Sequence, residues 1–108
     1  MSSDLIFHIL SKRKWQERNQ SGTYSTGEEV IECVDAGLLN EYLNSKFRGR
    51  KNLLMLVIDK SRLTQSVTRD PNGFLFVSER INLDAVLDKI RVDSDKDGSF
   101  DILVESQS

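Results

Sequence analysis

Leu53-Leu54-Met55-Leu56-Val57-Ile58 is the stretch on which the fold turns. It is the longest strictly apolar run in the chain, and far short of the roughly 20 residues that a membrane-spanning helix needs. A short continuous apolar run reads as a strand covered on both faces, because a strand with one wet face alternates instead. With its flanks it predicts a central strand over residues 52–59. Upstream, Leu39, Leu43 and Phe47 recur every four residues beside Leu38 and Tyr42, which draws an apolar stripe along a helix. Asp35 supplies that helix with a side-chain cap. Downstream, residues 64–69 and 74–78 flank Asp70-Pro71-Asn72-Gly73. Proline second and glycine fourth suit a type I turn, so this pair is predicted to be a hairpin.

Working toward the ends, residues 4–10 predict a first strand, with Ile6, His8 and Leu10 on one face and Leu5, Phe7 and Ile9 on the other. Ser11 caps a short polar helix running to about residue 20, anchored to the core by Trp15 and stopped by Gly22. Residues 29–34 predict a second strand that places Val30, Glu32 and Val34 opposite Ile31 and Cys33. Residues 81–85 read as a turn or short helix, 86–92 as a strand, and 100–104 as a last strand after Asp97-Gly98. Six or seven strands and two main helices in this order define an α+β class.

The 108 residues suit one domain over 1–108, with a polar tail fraying from about residue 105. Fifteen basic against 17 acidic side chains leave a net charge of −2, which argues against a dedicated nucleic-acid binder. One cysteine excludes an internal disulfide, and one histidine with one cysteine excludes the usual Cys/His zinc clusters, so no metal site is expected. Met1-Ser2-Ser3-Asp4 lacks the basic opening of a signal peptide, so the expectation is a soluble, monomeric, cytoplasmic protein. Asn19-Gln20-Ser21 matches a glycosylation sequon that such a location leaves unused.

Three residues stand out as candidate ligand contacts. His8 lies between Ile6 and Leu10, and one ring nitrogen of histidine can donate while the other accepts. Glu32 lies between Val30 and Val34, where a carboxylate needs a partner, His8 or Arg50, or else works as a base. Arg50 belongs to Lys46-Phe47-Arg48-Gly49-Arg50-Lys51, which either clamps a phosphate or simply favours a helix C-terminus. Asp93-Ser94-Asp95-Lys96-Asp97-Gly98 matches the opening of a calcium loop, yet Val104 stands where its bidentate glutamate belongs, so a hairpin turn explains it better. Cys33 alternates with Ile31 and reads as an inert buried thiol. No G-x-S-x-G, P-loop or G-x-G-x-x-G is present.

Ile6-Phe7-His8-Ile9, Trp15, Gly22-Thr23-Tyr24, Val30-Ile31-Glu32-Cys33-Val34, Gly49-Arg50-Lys51-Asn52-Leu53 through Ile58-Asp59, and Leu83-Asp84-Ala85-Val86 follow one another in this order. In that order and spacing the chain resembles a mostly bacterial family known as domain of unknown function 952. Glu32, Val34, Phe76 and Ser78 stand where that family has His, Ser, His and Tyr, and Asp70 aligns with its usual Glu. The resemblance implies a compact ADP-ribosyltransferase-like fold: a curved, split, mixed or antiparallel sheet with a ligand cleft and His8 on the first strand. It implies a domain that binds a nucleotide or ADP-ribose-type ligand, NAD included, through His8, Glu32 and Arg50, without catalysis. Two alternatives stay open. One is an active NAD-dependent ADP-ribosyl transferase or hydrolase with His8 and Glu32 as catalytic candidates; the other is a protein-interaction module.

Overall fold

A computed structural model describes residues 5–20, 22–25 and 29–102 of the chain. Strand β1 (Leu5–Ser11) runs into helix α1 (Lys12–Arg18), and two-residue strands follow, β2 (Asn19–Gln20) and β3 (Thr23–Tyr24). Strand β4 (Val30–Cys33) leads through a single 3-10 turn into helix α2 (Leu39–Lys46). Then come β5 (Leu53–Asp59), β6 (Val67–Arg69), β7 (Leu75–Ser78), β8 (Ile81–Asn82) and β9 (Val86–Val92). The strands form three antiparallel sheets of three, in the orders β1-β5-β9, β2-β3-β8 and β4-β7-β6.

The apolar run occupies the centre of the first sheet, as its continuity requires. Period-two alternation sends Leu56 and Ile58 to one side, with Ile6 and Leu10 of β1, and Leu53 and Met55 to the other, with Phe7 and Ile9. On the first side the core is completed by Trp15 of α1, Tyr24, Ile31 and Cys33 of β4, and Leu75 and Val77 of β7. On the second it is completed by Leu39, Tyr42 and Leu43 of α2, together with Val34 and Phe100. Each fully buried Leu or Ile contributes about 1.5–3 kcal/mol of transfer free energy, so this two-sided burial of β1 and β5 is the main stabilising term.

Several local expectations hold. Ser11 Oγ accepts the Lys14 amide at 3.1 Å, and Asp35 Oδ1 accepts the Leu38 amide at 3.2 Å. The β6–β7 hairpin turns through Asp70-Pro71-Asn72-Gly73, with Asp70 Oδ1 accepting the amides of Asn72 and Phe74, both at 2.9 Å.

Others are corrected. In place of one split sheet of six or seven strands, mixed or antiparallel, nine strands are described in three antiparallel sheets; β2, β3 and β8 are too short to show a period. Helix α1 ends at Arg18, and Gly22, at φ +80°, turns the chain between β2 and β3 instead of stopping a helix. The expected last strand is not one: Phe100 to Ile102 lies extended against α2, and its partners are helix side chains. Residues 103 and 104 of that strand, Ser21 of the sequon and the tail lie outside the described residues.

Candidate functional site

The site begins at a seam between sheets. Phe7 and Val34 form one antiparallel bridge, exchanging hydrogen bonds of 2.7 and 2.9 Å, and tie β1 to the end of β4. The next pair of such a ladder would be Ile9 and Glu32. Instead the strands part, and His8 Nδ1 donates to the Glu32 carbonyl at 2.8 Å. A carbonyl only accepts, so Nδ1 carries the proton of the neutral ring, and Nε2 accepts from the Tyr24 hydroxyl at 3.3 Å. His8 is 7% exposed. Burial holds its pKa below the ordinary 6.5, against the opposing pull of the Glu32 carbonyl and carboxylate, and Lys14 depresses it slightly further. The ring is therefore neutral, tautomerically fixed, and committed at both nitrogens.

Register then builds a box around it. His8 stands opposite Leu56, and Leu56 opposite Lys89, so the three form one row across β1, β5 and β9. Over that row Tyr24 packs on His8 with ring centroids 5.5 Å apart, and Trp15 stacks on Tyr24 at 5.6 Å. The Lys89 ammonium sits 5.1 Å from the Trp15 centroid, within cation–π range, and closes the ring of contacts. Beside it opens a cleft of about 270 Å³ lined by Trp15, Leu83, Val86, Leu87, Asp88 and Lys89.

The three residues singled out in the sequence do not converge as side chains. Glu32 meets His8 only through its main chain. Its carboxylate lies on the face of β4 turned away from Ile31 and Cys33, bound to Lys46 Nζ at 2.9 and 3.3 Å. Glu32 also hydrogen-bonds Tyr42, whose hydroxyl is driven well above its ordinary pKa by burial first and by this carboxylate second. Arg50 lays its guanidinium over the Phe47 ring at 5.6 Å, and Phe47 in turn meets Tyr42 edge-on at 5.7 Å. Among the described residues Arg50 makes neither an ion pair with Glu32 nor a hydrogen bond to His8. Glu32 and Arg50 thus belong to the α2 side of the molecule, while His8 belongs to the Trp15 side.

Sequence reasoning missed Lys46 as the partner of Glu32, and missed Lys89 entirely. The signal for Lys89 was its place opposite Leu56, which needs the β5–β9 register. Cys33 is wholly buried; burial and then the Glu32 carboxylate push its thiol up to about 12. The aspartates after β9 serve local structure. Asp93 accepts the Asn52 amide at 2.7 Å and pairs with Arg91, and Asp97 holds the Ser99 amide and hydroxyl. Asp95 and Ser99 close a hairpin turn at Gly98. Among the described residues no three His, Cys, Asp or Glu side chains gather as a metal-binding group, and no helix is long and apolar enough to cross a membrane.

These features define a small α+β fold whose two sides are divided at a histidine-filled seam. Solved structures share it. The crystal structure of protein CC0527 from Caulobacter crescentus matches with a TM-score of 0.77 at 22% identity, covering 88% of this chain and 91% of that one. The solution structure of the same protein matches with a TM-score of 0.70 at 22% identity, over 89% and 90%. Likeness at this identity shows the fold alone. No family model matches the sequence, and no curated protein does.

Proposed function

We propose that this chain is a non-catalytic ligand-binding domain that takes a nucleotide or ADP-ribose-type ligand in the cleft beside Trp15 and Lys89. One observation carries the reading: both ring nitrogens of His8 are bound within the fold, behind an aromatic pair that ends at an open cleft. A histidine so committed cannot serve as a general base without giving up a structural bond. Cys33 is held as a thiol, and the Glu32 carboxylate is neutralised by Lys46. His8 is then a positioning residue that fixes the Tyr24 ring, and through it Trp15. The cleft walls match the ligand chemistry, with Leu83, Val86 and Leu87 for a base and Lys89 for a phosphate. At about 270 Å³ it falls just below the roughly 300–1,000 Å³ of usual ligand pockets, so it takes one nucleotide half and leaves the rest in solvent.

The motif order supports membership of the domain of unknown function 952 family and an ADP-ribosyltransferase-like fold. The reading is completed by one monomeric domain over 1–108 in a reducing cytoplasm, where a lone buried thiol is stable. The test is titration of labelled protein with ADP-ribose and with NAD, followed by mass analysis of the NAD. Expected are shifts of the Trp15 indole, Leu87 and Lys89 signals, with affinity on the order of millimolar (about −4 kcal/mol) and lost in Lys89→Ala. No shift at saturation would overturn binding, and release of nicotinamide would overturn the non-catalytic assignment.

A further inference from the structure

On the opposite side of the molecule, α2 reads a backbone. Asn40 and Asn44 are one turn apart, about 6 Å along the axis, close to the roughly 6.7 Å between alternate residues of an extended chain. Asn44 Nδ2 donates to the Phe100 carbonyl at 3.0 Å, and the Phe100 amide donates to Asn44 Oδ1 at 2.7 Å. Asn40 repeats the pattern on Ile102, at 2.9 and 2.7 Å. Each side-chain amide does what a neighbouring residue does in a β-ladder. The segment runs antiparallel to the helix, as Phe100 sits at Asn44 and Ile102 at Asn40.

All four bonds go to main-chain atoms and therefore read no sequence. Side-chain identity is read by packing. Phe100 is 4% exposed in the core side that holds Leu39, Tyr42 and Leu43, Ile102 packs partly against the same group, and Asp101 between them faces solvent. This is the logic of strand addition to a sheet edge, with two asparagines in place of the edge. We infer that this face of α2 is a capture groove for an extended aromatic-polar-aliphatic segment of a partner protein, and that residues 100–102 occupy it as a resident competitor. The occupant follows from the resident: four transferable main-chain bonds, a deep aromatic socket, a wet middle position and a shallower aliphatic one.

The experiment uses the full chain carrying Phe100→Asp with Ile102→Asp, and a capped synthetic peptide Ser-Phe-Asp-Ile, the sequence of residues 99–102. The readout is the side-chain amide resonances of Asn40 and Asn44. A resident competitor lowers apparent affinity by the fraction of time the groove is open, so the vacated chain is expected to bind the peptide at least about tenfold more tightly than the native chain. Adding Asn44→Leu should abolish the shifts. A folded, vacated chain whose asparagine signals ignore millimolar peptide would overturn the inference. If the double variant does not fold, hydrogen exchange on the native chain decides. Phe100 and Ile102 amides that exchange faster than those of β5 support a releasable resident, and exchange at the rate of β5 sinks it. A native dimer that disappears in Asn44→Leu would assign the groove to a second copy and overturn the partner reading.

Discussion

At the scale of the residue, His8 couples the seam to pH. Its pKa lies below the unfolded value of about 6.5, so between the two the unfolded chain binds the extra proton. Stability is thus fully present above about 6.5 and falls as pH drops below it, levelling off beneath the folded-state pKa. Asp59, Asp93 and Asp97 are shifted down from 3.8, and their contribution is lost only as pH falls below that value, in a separate window. Chemical denaturation between pH 7 and pH 5 should therefore show a decline that His8→Gln removes; a native slope retained in that variant would exonerate the histidine. His8→Ala leaves the Glu32 carbonyl and the Tyr24 hydroxyl without this partner, and is expected to cost about 2–4 kcal/mol. Cys33, buried with its pKa raised to about 12, should resist a thiol reagent until denaturant is added. Rapid labelling of the native protein would contradict that.

At the scale of the element, alternation made β1, β4 and β5 legible, because each is long enough to show two faces and has a burial contrast to enforce them. The same signal failed at residues 100–102. Phe100 and Ile102 alternate about Asp101 as a strand would, but their backbone partners are Asn40 and Asn44, and hydrophobic pattern says nothing about where hydrogen bonds go. Turn chemistry was legible at Asp97-Gly98, though its second purpose was not. Gly98 has φ +85°, and its carbonyl accepts the Gly49 amide at 2.7 Å, so two turns distant in sequence lock together at the end of the central sheet. A Cβ on Gly98 would meet Gly49 Cα at 3.3 Å, whereas one on Gly22, also at positive φ, meets nothing within 4 Å. Both Gly→Ala changes cost the left-handed strain of about 1–2 kcal/mol, and Gly98→Ala adds the clash. Its melting temperature should fall further than that of Gly22→Ala; equal losses would mean the Gly49–Gly98 approach is slack.

At the scale of the whole molecule, the apolar run from Leu53 to Ile58 announced a strand covered on both sides, and that part of the architecture was readable. The candidate site was readable only in part. His8 and Glu32 were marked by the cost of burying polar groups among apolar neighbours. Their partners Tyr24 and Lys46 come from other elements, and Lys89 is opposed to the His8 row only through the β5–β9 register. The two core sides share β1 and β5 and differ in everything else, which raises the question of whether they melt together. Leu43 lies wholly buried on the α2 side, while Trp15 reports from the other. Leu43→Ala should cost about 2–5 kcal/mol, a large fraction of the roughly 5–15 kcal/mol that holds a small domain together. Because each strand of the central pair contributes to both sides, losing the α2 side exposes the backs of β1 and β5 and removes the support on which Trp15 and Tyr24 are packed. Trp15 fluorescence and far-ultraviolet circular dichroism should therefore shift to the same lower midpoint in Leu43→Ala. A Trp15 transition that stays at the native midpoint while the helical signal melts early would show two separable halves, and would refute a single cooperative domain over 1–108.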